Sequence, residues 1–347
     1  MNNIKKQFFL RVLILFQIIS SLMFSGVSLA QQPKYEVKTT KYLLGTEIDI
    51  TAIHSDIDSM KKAMYFAFRE IERIQGLMSV QIDTTEASKI NINAGISPVK
   101  VSQEMYSIIK RSIEYSDKYN GIFDITIGPV SELWGFSSDK KITELPDRNI
   151  LDSLVRLVDY KMIVLDPTDT SVFLIKKGMK IDLGGIAKGY AVDRASDVMK
   201  NNGMSDFFVN AGGDIYASGS KGSGQKWIIG IKDPRDEKKI IAYFEVSDFA
   251  IGTSGDYERY VMIGGKRYHH IFDTKTGYPV MISQSGTALA ATAEEAVVLS
   301  KVVFITGAED YLKTKNVTGI MGVIVTSEGN IVYDERLVEK YDFKLVK

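Results

Sequence analysis

DLGGIAKGYAVD, residues 182–193, places an acidic side chain, a glycine pair and a lysine at the predicted start of a helix. The start of an α-helix offers unpaired backbone N–H groups and the positive end of a dipole, so it can bind phosphate oxygens. Gly184 and Gly185 allow a ligand to approach the backbone closely. The segment therefore predicts a site for a phosphorylated ligand, and an ordinary strand-to-helix turn is the alternative.

Helical periodicity dominates the chain before this segment, and short strands dominate the chain around and after it. Such a mixture in one continuous chain predicts a single α+β domain of mostly antiparallel strands with packed helices. The predicted helices are 58–78, 102–120, 148–158, one that follows Gly185, and 293–306. Gln81–Gly95 is predicted to be polar and turn-rich. The predicted strands are 42–52, 162–166, 171–175, 179–183, 207–211, 214–219, 226–232, 240–246 and 260–264, with a closing hairpin at 321–334.

The composition excludes several classes of protein. The 347 residues are 45% apolar and 25% charged, as in an ordinary folded soluble protein. The formal net charge is +0, so no basic surface indicates a nucleic-acid partner. Cysteine is absent, which excludes disulfides, a thiol nucleophile and thiolate metal sites.

The N-terminus is predicted to be a cleavable signal peptide, residues 1–30. Lys5 and Lys6 precede an apolar run, and Ser28 and Ala30 stand at the −3 and −1 positions of a cleavage site. A retained membrane anchor is the alternative, but the uninterrupted apolar part is shorter than the ~20 residues that a span needs. We therefore expect an exported domain, residues 31–347, with no membrane span after cleavage.

Three further segments carry candidate chemistry. The first is RYHHIFDTKTGYPV, in which His269 and His270 are suited to proton transfer near neutral pH and are followed by Asp273. The alternative interpretation of this segment is a strand end that leads into a polar hairpin. GTSGDYERY, residues 252–260, offers hydroxyl and glycine groups for phosphate or ribose. GIFDITIGPVSELWGF, residues 121–136, either stacks a planar ring or forms core. The nucleotide fingerprints GxGxxG and GxxxxGK[ST] are both missing, and so is HExxH.

Taken together, the ordered segments resemble the ApbE family of FAD:protein FMN transferases over about residues 44–307. The segments that carry the resemblance are LGT (44–46), EASKIN (86–91), FDITIGPVSELWGF (123–136), KIDLGGIAKGYAVD (180–193), NAGGDIYASG (210–219), TSGDYERY (253–260) and HHIFDTKTGYPV (269–280). The resemblance implies a flavin-transferase fold of the T-fold-related type and export to the periplasm. It also implies FAD as the bound nucleotide and magnesium as the assisting ion. The implied reaction transfers FMN from FAD to a threonine of an acceptor flavoprotein and releases AMP.

The resemblance also implies roles for individual residues. His270 is the implied base near the attacking hydroxyl, with Asp273 as its neighbour. The backbone of Gly185 is implied to face the pyrophosphate and the metal. The residues implied to bind or line the FAD site are Leu44, Gln81, Ile122, Phe123, Asp124, Asp182, Lys188, Ser254 and Ile271.

The chain departs from the family pattern at the implied metal site. With Gly307 as the anchor, the family's metal-binding aspartate falls at Val297 and its threonine at Lys301, and an acid that some members carry falls at Ser300. Magnesium prefers oxygen ligands, which valine and lysine side chains do not supply. We therefore expect the standard magnesium site to be absent.

Three interpretations of this departure remain open. Lys301 replaces the ion with its ammonium group, because positions i and i+4 share a helix face. Alternatively, Lys301 extends from an apolar helix to solvent. In the third interpretation, Glu294 and Glu295 shift into the site as ligands.

The function has three corresponding alternatives. The first is the flavin transferase, with an altered or metal-independent centre. The second is an FAD pyrophosphatase that gives FMN and AMP, with water in place of the threonine hydroxyl. The third is a non-catalytic FAD-binding protein that has lost the magnesium site.

Overall fold

An eight-stranded antiparallel sheet carries the fold in this computed structural model, which describes residues 33–137, 142–222 and 224–346. Its strand order is β1-β2-β6-β7-β10-β13-β14-β15. The strands of the described chain are β1 Tyr35–Leu43, β2 Thr46–His54, β3 Val99–Lys100, β4 Ile163–Asp166, β5 Ser171–Leu174, β6 Asp206–Ala211, β7 Asp214–Ser218, β8 Trp227–Asp233, β9 Asp236–Val246, β10 Phe249–Gly255, β11 Tyr260–Ile263, β12 Lys266–His269, β13 Ser283–Ala290, β14 Met321–Thr326, β15 Ile331–Tyr333 and β16 Lys344–Leu345.

Most of the helices pack into the core on one face of this sheet, and the last one contributes Leu337 to the core on the other face. The helices of the described chain are α1 Ile57–Met78, α2 Glu86–Ile92, α3 Gln103–Lys118, α4 Gly128–Leu133, α5 Arg148–Val155, α6 Ala187–Asn201, α7 Ala293–Thr318 and α8 Arg336–Tyr341. Polar side chains begin several of them: Asp56 accepts bonds from the N–H groups of Asp58 and Ser59, and Ser102 accepts one from Met105. Such capping satisfies N–H groups that have no partner inside the helix.

Successive side chains of a strand point to opposite faces of the sheet, and in this sheet both faces carry apolar side chains. Ala250 and Ala288 belong to the core under the helices, whereas their neighbours Ile251 and Leu289 belong to a second core. Strands β8, β9 and β16 form a three-stranded sheet that contributes to this second core. A smaller cluster around Trp134 joins α4 and α5 to the segment that follows β12.

The predicted α+β fold with mostly antiparallel strands is confirmed, and several boundaries are corrected. The predicted strand 42–52 is wrong as one element, because Leu44 and Gly45 both have positive φ and form the turn between β1 and β2. The predicted strand 179–183 is wrong, since only Lys180 makes an isolated bridge there, to Ile127. The turn-rich region Gln81–Gly95 contains the short helix α2, which begins at the cap Thr85.

The helix predicted over 293–306 continues to Thr318. Gly307 has non-helical dihedral angles, φ 73° and ψ 172°, and marks a kink between two helical parts. The helix therefore extends past Gly307, which only bends it. The helix predicted over 148–158 ends earlier, at Val155.

The described residues from Tyr35 onward form one compact unit. Within the ranges that the structure describes, no helix has the length and apolar character needed to cross a membrane. The predicted signal peptide, residues 1–30, lies outside the described residues.

Candidate functional site

The glycine pair of the 182–193 segment lies in a tight turn just before α6. Leu183–Gly185 form a single 3₁₀ turn, and α6 begins at Ala187. Asp182 starts the turn, because its Oδ1 accepts a bond from the Gly184 N–H at 2.8 Å. Its Oδ2 accepts bonds from the hydroxyls of Ser137 at 2.8 Å and Ser131 at 3.2 Å. The carboxylate that we predicted to contact FAD is therefore already bound by protein groups, and its ligand contact stays a prediction.

Gly185 lies between an aromatic ring and a lysine side chain. A Cβ atom added to Gly185 would lie 2.9 Å from Cε2 of Phe123 and 3.5 Å from Cε of Lys301. No positive φ constrains this glycine, so the requirement is one of space. The structure thus brings together three predicted site residues from three separate parts of the sequence.

Lys188, in the first turn of α6, is paired with an acid that we did not predict as a site residue. Its Nζ lies 2.8 Å from Oδ2 of Asp214, whose side chain is 2% exposed. This oxygen receives no well-aligned hydrogen bond within the described residues, so the contact is an ion pair of poor hydrogen-bond geometry. Asp214 is the first residue of β7 and follows Gly212 and Gly213, both of positive φ. The motif NAGGD could have pointed to it.

Lys301 lies on α7, opposite the glycine turn. Its Nζ donates to the backbone oxygen of Val297 at 3.3 Å, and no carboxylate of the described chain forms an ion pair with it. Burial lowers the pKa of its ammonium group to about 8; the negative charges of Asp214 and Asp182 oppose this shift, and the positive charge of Lys188 adds to it. The ammonium is therefore mostly charged at neutral pH.

The far end of the segment 182–193 has a structural role that its sequence did not show. Asp193 accepts bonds from the N–H groups of Ala293 at 2.7 Å and Glu294 at 2.8 Å, so it caps the start of α7. Burial raises the pKa of this carboxyl group to about 6. Gly189 lies against the same helix start, since an added Cβ would be 2.2 Å from the Ala293 oxygen. One segment thus forms the glycine turn and also fixes α7.

Close backbone contacts fix α7 on the sheet as well. An added Cβ at Gly252 of β10 would lie 2.5 Å from the oxygen of Ala296, so the helix backbone lies directly against the strand. The hydroxyls of Ser254 and Ser300 share a buried hydrogen bond of 2.8 Å. Ser254 was predicted to bind the cofactor, but the structure places its hydroxyl in this buried contact between strand and helix.

His270 carries its proton on a defined ring nitrogen. Its Nδ1 lies 3.1 Å from the backbone oxygen of Arg259, which can only accept, so Nδ1 is the protonated nitrogen of the neutral ring. Nε2 then carries a free lone pair, and no hydrogen bond engages it within the described chain. Burial lowers the pKa of His270 well below its usual value, and the positive charges of Arg259 and Lys301 contribute in the same direction. The ring is therefore neutral and has the form of a base.

The residues on either side of His270 are structural. His269 is 1% exposed; its Nε2 lies 2.7 Å from the Val280 oxygen, and its Nδ1 accepts from the Ile271 N–H. Ile271, predicted to bind the cofactor, is buried with Val280 and Phe304. These three residues hold the end of β12 in the core.

Asp273 shapes the turn that follows His270. Its carboxylate accepts bonds from the Lys275 N–H at 2.9 Å and the Thr276 hydroxyl at 3.1 Å. No hydrogen bond or ion pair joins it to His270 in the described chain. The expectation that Asp273 neighbours His270 in space therefore has no contact to support it, although Asp273 orders the turn that follows His270 in the chain.

The aromatic segment 121–136 connects several of these groups. The ring of Phe136 lies edge-to-face with the His270 ring, with centroids 6.2 Å apart, and its backbone oxygen accepts a bond from the Arg259 guanidinium. Phe123 is 5% exposed and contacts the core, with Ile122 packed beside it. The segment is thus partly core and partly a wall of the site.

Asp124 in the same segment is a buried structural acid. It accepts bonds from the backbone and hydroxyl of Thr126, at 2.8 and 2.6 Å, and from the Tyr160 N–H at 2.9 Å. Burial raises the pKa of this carboxyl group, and these bonds oppose the shift. Both carboxylate oxygens of Asp124 therefore already have partners within the protein. Its place in the flavin or adenine pocket stays a prediction.

Two predicted cofactor residues lie in turns. Leu44 has positive φ, and its N–H donates to the Gln75 side chain at 2.7 Å. Thr46, which follows this turn, lies against Gly212 of the NAGGD segment: a Cβ atom added to Gly212 would be 2.4 Å from the Thr46 hydroxyl oxygen. Gln81 is exposed after the end of α1, and its N–H donates to the Ser79 hydroxyl. Their roles toward a ligand stay predictions.

The side chains at the two positions expected to bind magnesium, Val297 and Lys301, carry no oxygen atoms. No group of three or more His, Cys, Asp or Glu side chains in the described ranges is arranged to hold a metal. Val297 is fully buried, and Glu294 is bound at both oxygens by the Arg111 guanidinium at 2.7 Å. The alternative in which Glu294 shifts into the site would leave Arg111 without its partner. We had not predicted any role for Arg111.

A cavity of about 320 Å³ lies away from the glycine turn. Arg235 and Arg267 line it and both bind Asp256, and Met262 and Met281 provide apolar walls. None of the predicted FAD residues lines it. The convergence of separate motifs, rather than cavity size, therefore identifies the candidate site.

Comparison with known proteins gives consistent matches. A family model described as the ApbE family matches residues 44–324. A FAD:protein FMN transferase of Klebsiella pneumoniae (strain 342) is 34% identical over 216 residues, which cover 61% of this chain and 65% of that protein. One of Haemophilus influenzae is 27% identical over 335 residues, covering 93% and 96%.

The fold comparison agrees with these matches. The crystal structure of an ApbE protein from Thermotoga maritima superposes with a TM-score of 0.82 at 34% identity, covering 87% of this chain and 98% of that one. The fold implied by the sequence resemblance is therefore confirmed.

Proposed function

This chain belongs to the ApbE family, and we propose that it is an exported transferase that moves FMN from FAD to a threonine of an acceptor flavoprotein. Relatives that cover most of the chain are FAD:protein FMN transferases, which supports this reaction class. The arrangement of His270 beside the wall formed by Phe136, and of Gly185 between Phe123 and Lys301, supports a site for a flavin nucleotide.

The observation that carries the proposal is the free Nε2 of His270. A threonine hydroxyl is a weak nucleophile and needs a base to accept its proton. A histidine can act as that base only while its ring is neutral, and the lowered pKa of His270 keeps it neutral at physiological pH. The bond from Nδ1 to the Arg259 oxygen fixes the ring with Nε2 as the accepting atom.

In the proposed step, the threonine oxygen attacks the phosphorus atom on the FMN side of the FAD pyrophosphate. A P–O bond forms to threonine, and the P–O bond to the AMP phosphate breaks. AMP leaves with that electron pair, and the threonine proton passes to Nε2 of His270 and then to solvent. Backbone N–H groups at the start of α6 and nearby cations would support the negative charge of the pyrophosphate.

We propose that this reaction does not use the family's usual magnesium site. The positions expected for its ligands carry Val297 and Lys301, and the acids nearest to them in sequence are Glu294, bound to Arg111, and Glu295. The replacement of oxygen-bearing side chains by Val297 and Lys301 also favours one other candidate function, a protein that binds FAD without catalysis. His270, whose ring has the form of a base, favours catalysis.

One experiment separates these functions. The purified protein is incubated with FAD and a flavin-free acceptor flavoprotein, with magnesium or with EDTA, and the products are identified by mass spectrometry. The Haemophilus influenzae relative with the same acceptor serves as the positive control. We expect an FMN adduct on an acceptor threonine, and an acceptor Thr→Val variant should remain unmodified. Free FMN and AMP without an adduct would instead indicate a pyrophosphatase, and bound but unchanged FAD would indicate a binding protein.

Export through residues 1–30 is part of the proposal and has its own test. N-terminal sequencing of the protein from its native envelope fraction should begin at Gln31. A mature protein that still begins at Met1 would contradict cleavage.

A further inference from the structure

We infer that Lys301 binds the pyrophosphate of FAD directly and takes the place of a divalent metal ion in this protein. The inference rests on the proposed function, because it concerns how the same FAD site holds its phosphates. It assigns a specific role to a side chain that replaces an expected metal ligand.

The first argument is the position of the lysine. Its Cδ and Cε lie 3.7 and 3.5 Å from the place that a Cβ of Gly185 would occupy. The side chain therefore lies along the glycine turn rather than extending away from the protein. This position contradicts the interpretation in which Lys301 reaches from an apolar helix directly to solvent.

The second argument is the helix start that Lys301 faces. Residue Ile186 precedes α6 and provides no side-chain cap. The first N–H groups of a helix have no partner within the helix, and without a cap they favour an anion. The ammonium group of Lys301 and the uncapped N–H groups of α6 both favour phosphate oxygens.

The third argument is that no carboxylate of the described residues forms an ion pair with Lys301. The Asp182 carboxylate is bound by one N–H and two hydroxyl groups, and Asp214 is paired with Lys188. Within the part of the chain that the structure describes, the Lys301 ammonium donates only to the backbone oxygen of Val297, at 3.3 Å. A partly buried charge without a counter-ion is costly, and an arriving anion removes that cost.

The fourth argument is that α7 cannot easily change its register to bring acids into the site. Gly252 and Gly286 place the helix backbone directly against the sheet, and Asp193 caps its start. A shift along the helix axis would break these contacts together. Lys301 is thus fixed as the α7 side chain beside the glycine turn.

The test measures FAD affinity in the full-length mature protein from the quenching of flavin fluorescence. For the parent protein we expect the same Kd with magnesium and with EDTA. Lys301→Met keeps the length of the side chain and removes its charge, and it should weaken FAD binding by about 10-fold to 100-fold. Riboflavin, which has no phosphate, should bind the variant as it binds the parent. Lys313→Met is the matched control, because Lys313 is an exposed lysine of the same helix.

Each outcome decides the inference. Unchanged FAD affinity in Lys301→Met, or an equal loss of riboflavin and FAD binding, would overturn it. Weaker FAD binding of the parent protein in EDTA would also overturn it, since a metal would then hold the phosphates.

The transfer assay separates this inference from the proposed function. FMN transfer that EDTA abolishes would sustain the function and overturn the lysine role. FAD binding that depends on Lys301 and is insensitive to EDTA, without any FMN transfer, would sustain the lysine role and contradict the function.

Discussion

Replacing Gly189 by alanine tests how α6 fixes the position of α7. A Cβ at this position would lie 2.2 Å from the oxygen of Ala293, 2.6 Å from its carbonyl carbon and 2.8 Å from the nitrogen of Glu294. All three atoms are backbone, so no side chain can rotate away. An ordinary contact begins at 3.4 Å, so the two helices must separate by about 1 Å.

The expected magnitude follows from two opposing effects. Alanine is a better helix former than glycine by about 1 kcal/mol. Overpacking of a tight contact costs about 1–3 kcal/mol and occasionally more, and separation also weakens the bonds from Asp193 to the start of α7. We expect the free energy of unfolding to fall by about 2 kcal/mol.

Gly76→Ala is the matched control for this substitution. Gly76 is an exposed glycine of α1, and no atom lies within 4 Å of its added Cβ. This variant should gain roughly 0.5–1 kcal/mol from helix propensity. Urea unfolding followed by circular dichroism measures both variants, and the linear extrapolation gives the two free energies.

Function provides a second readout of the same substitution. Displacement of α7 moves Lys301 away from the glycine turn, so FAD affinity should fall in Gly189→Ala and stay unchanged in Gly76→Ala. If Gly189→Ala matches the parent in both stability and FAD affinity, the close helix contact does not position α7 and the reasoning is refuted.

Three further predictions concern titratable groups. His270→Gln should lower the FMN transfer rate by about 10²–10⁴-fold, whereas Asp273→Ala should act mainly on stability. Because the pKa of His270 is lowered, the transfer rate of the parent protein should fall only when the pH drops below about 6.5. A fall that begins above pH 7 would contradict the assignment of His270 as the base. Arg111→Met leaves the buried Glu294 carboxylate unpaired and should lower the free energy of unfolding in urea by about 1–3 kcal/mol, a value reduced because Arg111 is partly exposed. The double variant Arg111→Met with Glu294→Gln should recover part of this loss. The pKa of Asp193 is raised from 3.8 to about 6, so the folded state binds more protons than the unfolded state between these pH values. The free energy of unfolding should therefore fall by roughly 3 kcal/mol as the pH rises through this window. The Asp193→Asn variant should lack this component of the pH dependence.

Local patterns were sufficient to predict many of the elements. Apolar residues at helical spacing predicted α1 and α3. Ser102 caps the start of α3 as expected, whereas the helix ends at Lys118, two residues before its predicted limit. The predicted strand 42–52 failed because its turn depends on positive φ at Leu44, which a leucine does not signal. The extension of α7 past Gly307 was missed because packing maintains the helix beyond a residue that would normally end it.

The sequence by itself determined the class of fold and the glycine turn before α6, and its resemblance to the ApbE family singled out His270 as the predicted base. These depend on local periodicity, on residue type and on ordered motifs, all of which a single chain displays. Only the tertiary structure decided which groups are free to act. The sequence made Asp182, Asp124 and Glu294 candidate ligands, but donors that are distant in sequence bind them. It left the role of Lys301 open, and the structure places this lysine against Gly185 with no ion pair to any described carboxylate. The physical reason is that the availability of a charge depends on partners that are far away in sequence and that folding alone brings into contact.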